Sequence, residues 1–140
     1  MKKISVVLIV LVLSLLVVGV VYAADGGAKR VAWLSGANEV PPADPDGTGY
    51  AEIRLNYGQE RVCWEISFSN IDPPSAAHIH RGVAGVNGPV VVPLNPNSPG
   101  CVTASQVLIK EIIQFPGRFY VNVHNPLYPA GAIRGQLMEP

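Results

Sequence analysis

Two hydrophobic patterns divide the chain. From Ile4 to Val21 the residues are almost unbroken Val, Leu and Ile, whereas from Val31 onward apolar residues come in short segments separated by Gly, Pro, Asn and Asp. Inside those segments apolar and polar positions alternate. In Arg61–Ser69, Val62, Trp64, Ile66 and Phe68 share one face, and Arg61, Cys63, Glu65, Ser67 and Ser69 the other. A period of two is that of a β-strand with one buried face. The same reading sets Ala51, Ile53 and Leu55 against Tyr50, Glu52 and Arg54 over residues 49–55. Over residues 119–124 it sets Phe119, Val121 and Val123 against Tyr120, Asn122 and His124. Further strands are expected over 31–35, 76–81, 90–94 and 132–137. Residues 105–114 break the pattern, since Val107, Leu108, Ile112 and Ile113 recur at helical spacing before Pro116-Gly117 ends the run. One short helix is predicted there. Trp33 and Trp64 read most simply as core residues.

Thirteen prolines and fourteen glycines in 140 residues exclude a helical bundle. The expected class is all-β, a Greek-key β-sandwich or barrel of immunoglobulin-like or superoxide-dismutase-like type with one short helix.

The apolar run changes where this domain is expected to work. Lys2 and Lys3 precede it and Val21-Tyr22-Ala23 follows it, with small residues where signal peptidase needs them. Residues 1–23 therefore read as a signal peptide, 24–30 as a linker and 31–140 as one domain. The run is also long enough, at roughly 18 to 20 residues, to remain as a membrane anchor. Without a cysteine at the junction, a lipid anchor is excluded. Both alternatives put the domain outside the cytoplasm, whether secreted, periplasmic or on the cell surface, and a membrane is a partner only if the segment is uncleaved.

Charge narrows the partners. The chain carries 10 basic and 10 acidic residues; without Lys2 and Lys3 the balance is 8 against 10, with no Lys/Arg cluster. Nucleic acid and anionic surfaces are poor fits to such a domain. Cys63 and Cys101 are the only cysteines, and in an oxidising compartment the pair reads as one disulfide. It closes a loop worth about 3 to 4 kcal/mol in the chain-entropy model.

The three histidines carry the candidate chemistry. His78 and His80 are two apart in an expected strand, so their imidazoles project from one face, and His124 ends another strand. If the two strands meet, three neutral nitrogens converge. That set suits copper or zinc, with copper preferred by the usual affinity order. Two histidines on one strand face also occur as a plain hydrogen-bonded pair, and that reading stays open. Asn122 and Tyr120 share the face of His124 and are candidate orienting partners of the imidazoles; Arg134 is either at the mouth of such a site or an exposed charge. No paired carboxylates and no nucleophile elbow are found, and Gly82–Gly88 reads as turn chemistry.

Three blocks resemble one family. Leu34-Ser35-Gly36-Ala37-Asn38-Glu39-Val40-Pro41-Pro42 is similar to the opening motif of the CHRD domain. Ala77-His78-Ile79-His80-Arg81-Gly82 with Asn87-Gly88-Pro89-Val90-Val91 resembles its central motif. Phe119-Tyr120-Val121-Asn122-Val123-His124-Asn125 with Tyr128-Pro129-Ala130-Gly131-Ala132-Ile133-Arg134-Gly135-Gln136-Leu137 resembles its closing motif. The family takes its name from chordin, an extracellular protein, and its bacterial members are typically small exported single-domain proteins. The resemblance implies fold and location rather than an activity. The Glu39-Val40-Pro41-Pro42 stretch reads as a rigid loop. A more distant similarity, to copper–zinc superoxide dismutase, would make His78, His80 and His124 copper ligands and Arg134 an anion-guiding arginine. The bridging imidazole and the zinc ligands of that enzyme have no counterpart, so only a copper-only relative fits.

The expected function is thus an exported CHRD-domain protein that binds copper, or another transition metal, through His78, His80 and His124. The alternatives are a structural, adhesive or partner-binding extracellular module without a metal, whose partner is another extracellular protein, and a copper-only superoxide dismutase-like enzyme. A non-enzymatic role is favoured.

Overall fold

The computed structural model describes residues 27–140; the proposed leader, residues 1–23, lies outside them. Alternating segments form eight strands: β1 Ala28–Ser35, β2 Thr48–Asn56, β3 Arg61–Ser69, β4 Ala76–Arg81, β5 Val90–Leu94, β6 Gly100–Thr103, β7 Phe119–His124 and β8 Ile133–Gln136. Among the described residues one α-helix, α1, spans Gln106–Gln114. The strands make a single sheet ordered β5-β4-β7-β8-β1-β2-β3-β6 with every pairing antiparallel. Its two end strands, β5 and β6, return beside one another without a ladder, so the barrel is nearly closed. Neighbours such as β4–β7 and β3–β6 are distant in sequence, which is Greek-key rather than up-and-down connectivity.

Closure turns one side of each strand inward. Ala32 and Leu34 of β1, Ala51, Ile53 and Leu55 of β2, Val62 of β3, Ala77 and Ile79 of β4, and Val121 and Val123 of β7 meet in one core. Excluding these side chains from water is the main stabilising term. The helix begins at Ser105, whose hydroxyl accepts from the Leu108 amide as an N-cap. It buries Ile109 and Ile112, and Leu108 and Ile113 pack against the core beside them; of the positions the spacing marked, Val107 alone points to solvent.

One expectation of the core is corrected, and one strand is new. Trp33 is 67% exposed, because Ala32 and Leu34 take the inward positions of β1; its ring rests against Tyr50 on the next strand, at 4.8 Å between centroids. Trp64 is half-buried against the core, its indole nitrogen donating to the Asn95 and Ser98 carbonyls. Strand β6 has no counterpart among the predicted strands. At four residues it is too short to show a period, and it is ordered by its ladder with β3. Cys63 and Cys101 are opposite partners in that ladder and form the disulfide.

Candidate metal centre

Strands β4 and β7 run side by side, pairing His78 with Asn122, His80 with Tyr120 and Ala76 with His124. Side chains of the outward face therefore make a small grid in which the three imidazoles adjoin. One ring nitrogen from each of His78, His80 and His124 lies within 4.8 Å of the others, so the cluster can hold a metal ion. All three residues are half-buried.

Backbone carbonyls set the tautomers. His80 Nδ1 is 2.9 Å from the Gly88 carbonyl oxygen, and His124 Nδ1 is 3.1 Å from that of Pro129. A carbonyl only accepts, so both Nδ1 atoms carry the proton and both Nε2 atoms are left as lone-pair donors. Among the described residues His80 Nε2 is buried with no hydrogen-bond partner, which leaves its lone pair available to a ligand. His124 Nε2 lies 3.1 Å from His78 Nδ1; the proton of that bond belongs to His78, since His124 Nε2 has none to give. Its loss in favour of the other ring nitrogen frees both atoms for an ion. Burial holds His78 and His124 below the ordinary imidazole range, and the neighbouring imidazoles push the same way. The His124 bond to Pro129 opposes this but is the smaller effect. The residues thus fit a metal: three imidazole nitrogens lie close to one another, and the outer nitrogens of His80 and His124 are anchored on carbonyls.

The loops that supply those carbonyls are held in place by specific contacts. Between β4 and β5, residues 82–89 fold so that a Cβ on Gly88 would lie 1.6 Å from the Arg81 carbonyl oxygen, so only glycine fits there. Arg134 grips this loop from below. Its guanidinium donates to the Val83 and Val86 carbonyls and to Asn87 Oδ1, at 3.0, 2.8 and 3.1 Å. It also lies 3.4 Å above the Tyr120 ring, whose other neighbour is His80, stacked at 4.8 Å and 12°. Guanidinium, phenol and imidazole form a column. The second loop, Asn125 to Gly131, is tied by Asn125 Oδ1 accepting from the Tyr128 amide and by the Gly131 amide donating to Tyr128 oxygen. That turn presents Pro129 to His124.

Sequence-predicted partners fare unevenly. Tyr120 does touch an imidazole. Asn122 does not orient one; it donates to Glu39 Oε1 at 2.7 Å, and both residues are buried. Arg134 is 1% exposed, so it is neither a surface charge nor a solvent-facing guide for anions; its donors are spent on the loop. Glu39, read as part of a rigid loop, carries its carboxyl into the protein, where burial raises its pKa from 4.5 to about 7 against the opposing Arg134 charge and Asn122 hydrogen bond. Gly88, Pro129 and Glu39 were present in the three sequence blocks. What the sequence hid was their convergence around the same grid.

An antiparallel, nearly closed β-barrel with motif-bearing loops folded over a three-imidazole cluster is the class of protein these observations define. The CHRD domain family model matches residues 30–137, and the chain belongs to that family. Neither a curated protein nor a solved structure matches it. The domain is of extracellular type, and the Cys63–Cys101 disulfide agrees with an oxidising setting. Among the described residues no helix is long and apolar enough to cross a membrane.

Proposed function

We propose that this chain is an exported CHRD-domain protein that binds one copper ion through His78 Nδ1, His80 Nε2 and His124 Nε2. The observation that carries the reading is His80 Nε2: a buried, unpartnered acceptor beside two other imidazole nitrogens. An orphaned buried acceptor is costly unless a ligand satisfies it. Three imidazoles without a thiolate or carboxylate in the cluster favour copper over harder ions, with zinc second. Sequestration or delivery of copper outside the cytoplasm follows from such a site, and the apolar segment ending at Ala23 supplies the route of export.

The test is copper stoichiometry and electron paramagnetic resonance on residues 24–140, beside a His78→Ala/His80→Ala variant. One tightly held Cu(II) with nitrogen hyperfine splitting, absent from the variant, is the expected result. Equal background binding in both proteins would remove the proposal.

A second reading has its own support. The His78–His124 hydrogen bond and the two carbonyl contacts satisfy most of the cluster without an ion, as in a structural or partner-binding extracellular module. The superoxide dismutase-like reading gains nothing from Arg134, whose charge is committed beneath the loop.

A further inference from the structure

The Cys63–Cys101 bridge lies on the outer face of the sheet, away from the core. Its inward neighbours, Val62 and Val102, make the apolar contact between β3 and β6, while Cys101 is exposed and Cys63 half-buried. The bridge lines an open groove of about 420 Å³, along with Arg54, Arg61, Trp64 and Glu65. A small thiol or an extended segment of another protein can therefore reach the sulfurs without unfolding.

The two sulfurs are not equivalent. Arg61 Nη2 donates to Cys101 Sγ at 3.1 Å. The other guanidinium of the groove, Arg54, is engaged by Glu52 at 2.9 Å. A cation beside one sulfur stabilises the thiolate formed there, so that sulfur is the better leaving group and its partner the point of attack. Strand β6 is also held by more than the bridge. Its ladder runs from Arg61↔Thr103 to Trp64↔Gly100, the Ala104 amide donates to the Glu60 carbonyl at 2.9 Å, and Trp64 ties the preceding loop through Asn95 and Ser98. The reduced chain thus keeps both thiols apposed.

We propose that Cys63–Cys101 is a thiol–disulfide exchange site that acts in the folded protein, with a dithiol as its partner. The thiolate of the partner attacks Cys63 Sγ, the bridge breaks, and its electron pair passes to Cys101 Sγ beside Arg61. The partner's second thiol, deprotonated, then attacks the partner sulfur of the mixed disulfide. The partner leaves as its own disulfide, and Cys63 departs as a thiolate that takes a proton from water. The partner loses two electrons and the bridge gains them.

The test uses the full chain with dithiothreitol and a metal chelator, with alkylation and mass measurement at intervals and near-ultraviolet circular dichroism alongside. Glutathione in a parallel series traps the mixed disulfide for peptide mapping. The expected reduction rate is proportional to dithiothreitol concentration, with the folded spectrum retained and glutathione mainly on Cys63. Arg61→Ala is expected to slow reduction about three- to tenfold and to even out the adduct between the two cysteines, while Arg61→Lys keeps most of both properties. Arg61 is exposed, so neither variant threatens the fold. A rate independent of thiol and equal to that of global unfolding overturns the proposal. So does an Arg61→Ala protein with unchanged rate and adduct position.

Discussion

At the scale of single residues, Glu39 has the most informative surroundings. Its carboxyl accepts from Asn122 Nδ2, and a Cβ on Gly131, which sits at a φ of +143°, would fall 2.6 Å from Glu39 Oε1. Glycine is required there on both counts, space and backbone. The folded chain keeps the Glu39 proton up to about pH 7, whereas the unfolded chain releases it near 4.5. The native state binds more protons across that window, so this stabilising contribution is full below pH 4.5 and is lost as pH rises through about 7. The difference amounts to about 3 kcal/mol. Glu39→Gln keeps the accepting oxygen and removes the titration. Denaturant unfolding should find the two proteins alike near pH 4 and the variant more stable by up to about 3 kcal/mol at pH 8. A constant difference across pH would show that Glu39 does not titrate in this range.

At the scale of elements, His80 and His124 each depend on a loop as well as on their own strand, whereas among the described residues the His78 ring bonds only to His124. Strands β4 and β7 bring the imidazoles together, but the loop over residues 82–89 selects which nitrogen of His80 is free, and Arg134 of β8 holds that loop. Arg134→Lys keeps the charge and loses the planar fork that reaches several acceptors at once. Copper affinity is expected to fall about 10- to 100-fold in this variant, as for other losses of support behind a metal ligand. Nitrogen NMR of the metal-free protein should show His80 no longer confined to its Nδ1–H tautomer, a change that mere loss of stability would not produce. Gly88→Ala is more severe. Its added carbon collides with the Arg81 carbonyl, so the loop must move and His80 loses its anchor. Isothermal titration should find copper binding weakened at least as much as in Arg134→Lys.

Considered whole, the molecule is a barrel whose interior and site are separate. Inward faces supply the core, while the outward face of β4 and β7 carries the histidines, flanked by the loops over residues 82–89 and 125–131. The disulfide joins β3 to β6, strands that carry none of the cluster. Removing it with Cys63→Ser/Cys101→Ser should lower unfolding free energy by about 3 to 4 kcal/mol, mostly by freeing the unfolded chain. Copper stoichiometry should stay at the wild-type value. Thermal unfolding and metal analysis on one preparation check both halves of this expectation.

Local patterns reached a long way into this protein. Short apolar segments between turn residues located seven of the eight strands among the described residues, and in three of them alternation marked the inward face, because a half-buried strand writes its environment at every second residue. Ser105 and Pro116 bounded the helix, and two cysteines allow only one internal pairing. The spacing of His78 and His80 marked one face of one strand. None of these signals specifies what lies across from a residue. Strand β6 exists through its ladder with β3, Trp33 is outward because its neighbours fill the core, and Arg134 is buried because three acceptors of a distant loop surround its guanidinium. The free nitrogens of His80 and His124 likewise depend on carbonyls eight and five residues away along the chain. Period and composition are properties of the neighbouring residues, whereas burial of a charge and choice of a tautomer arise only when separate segments close around them.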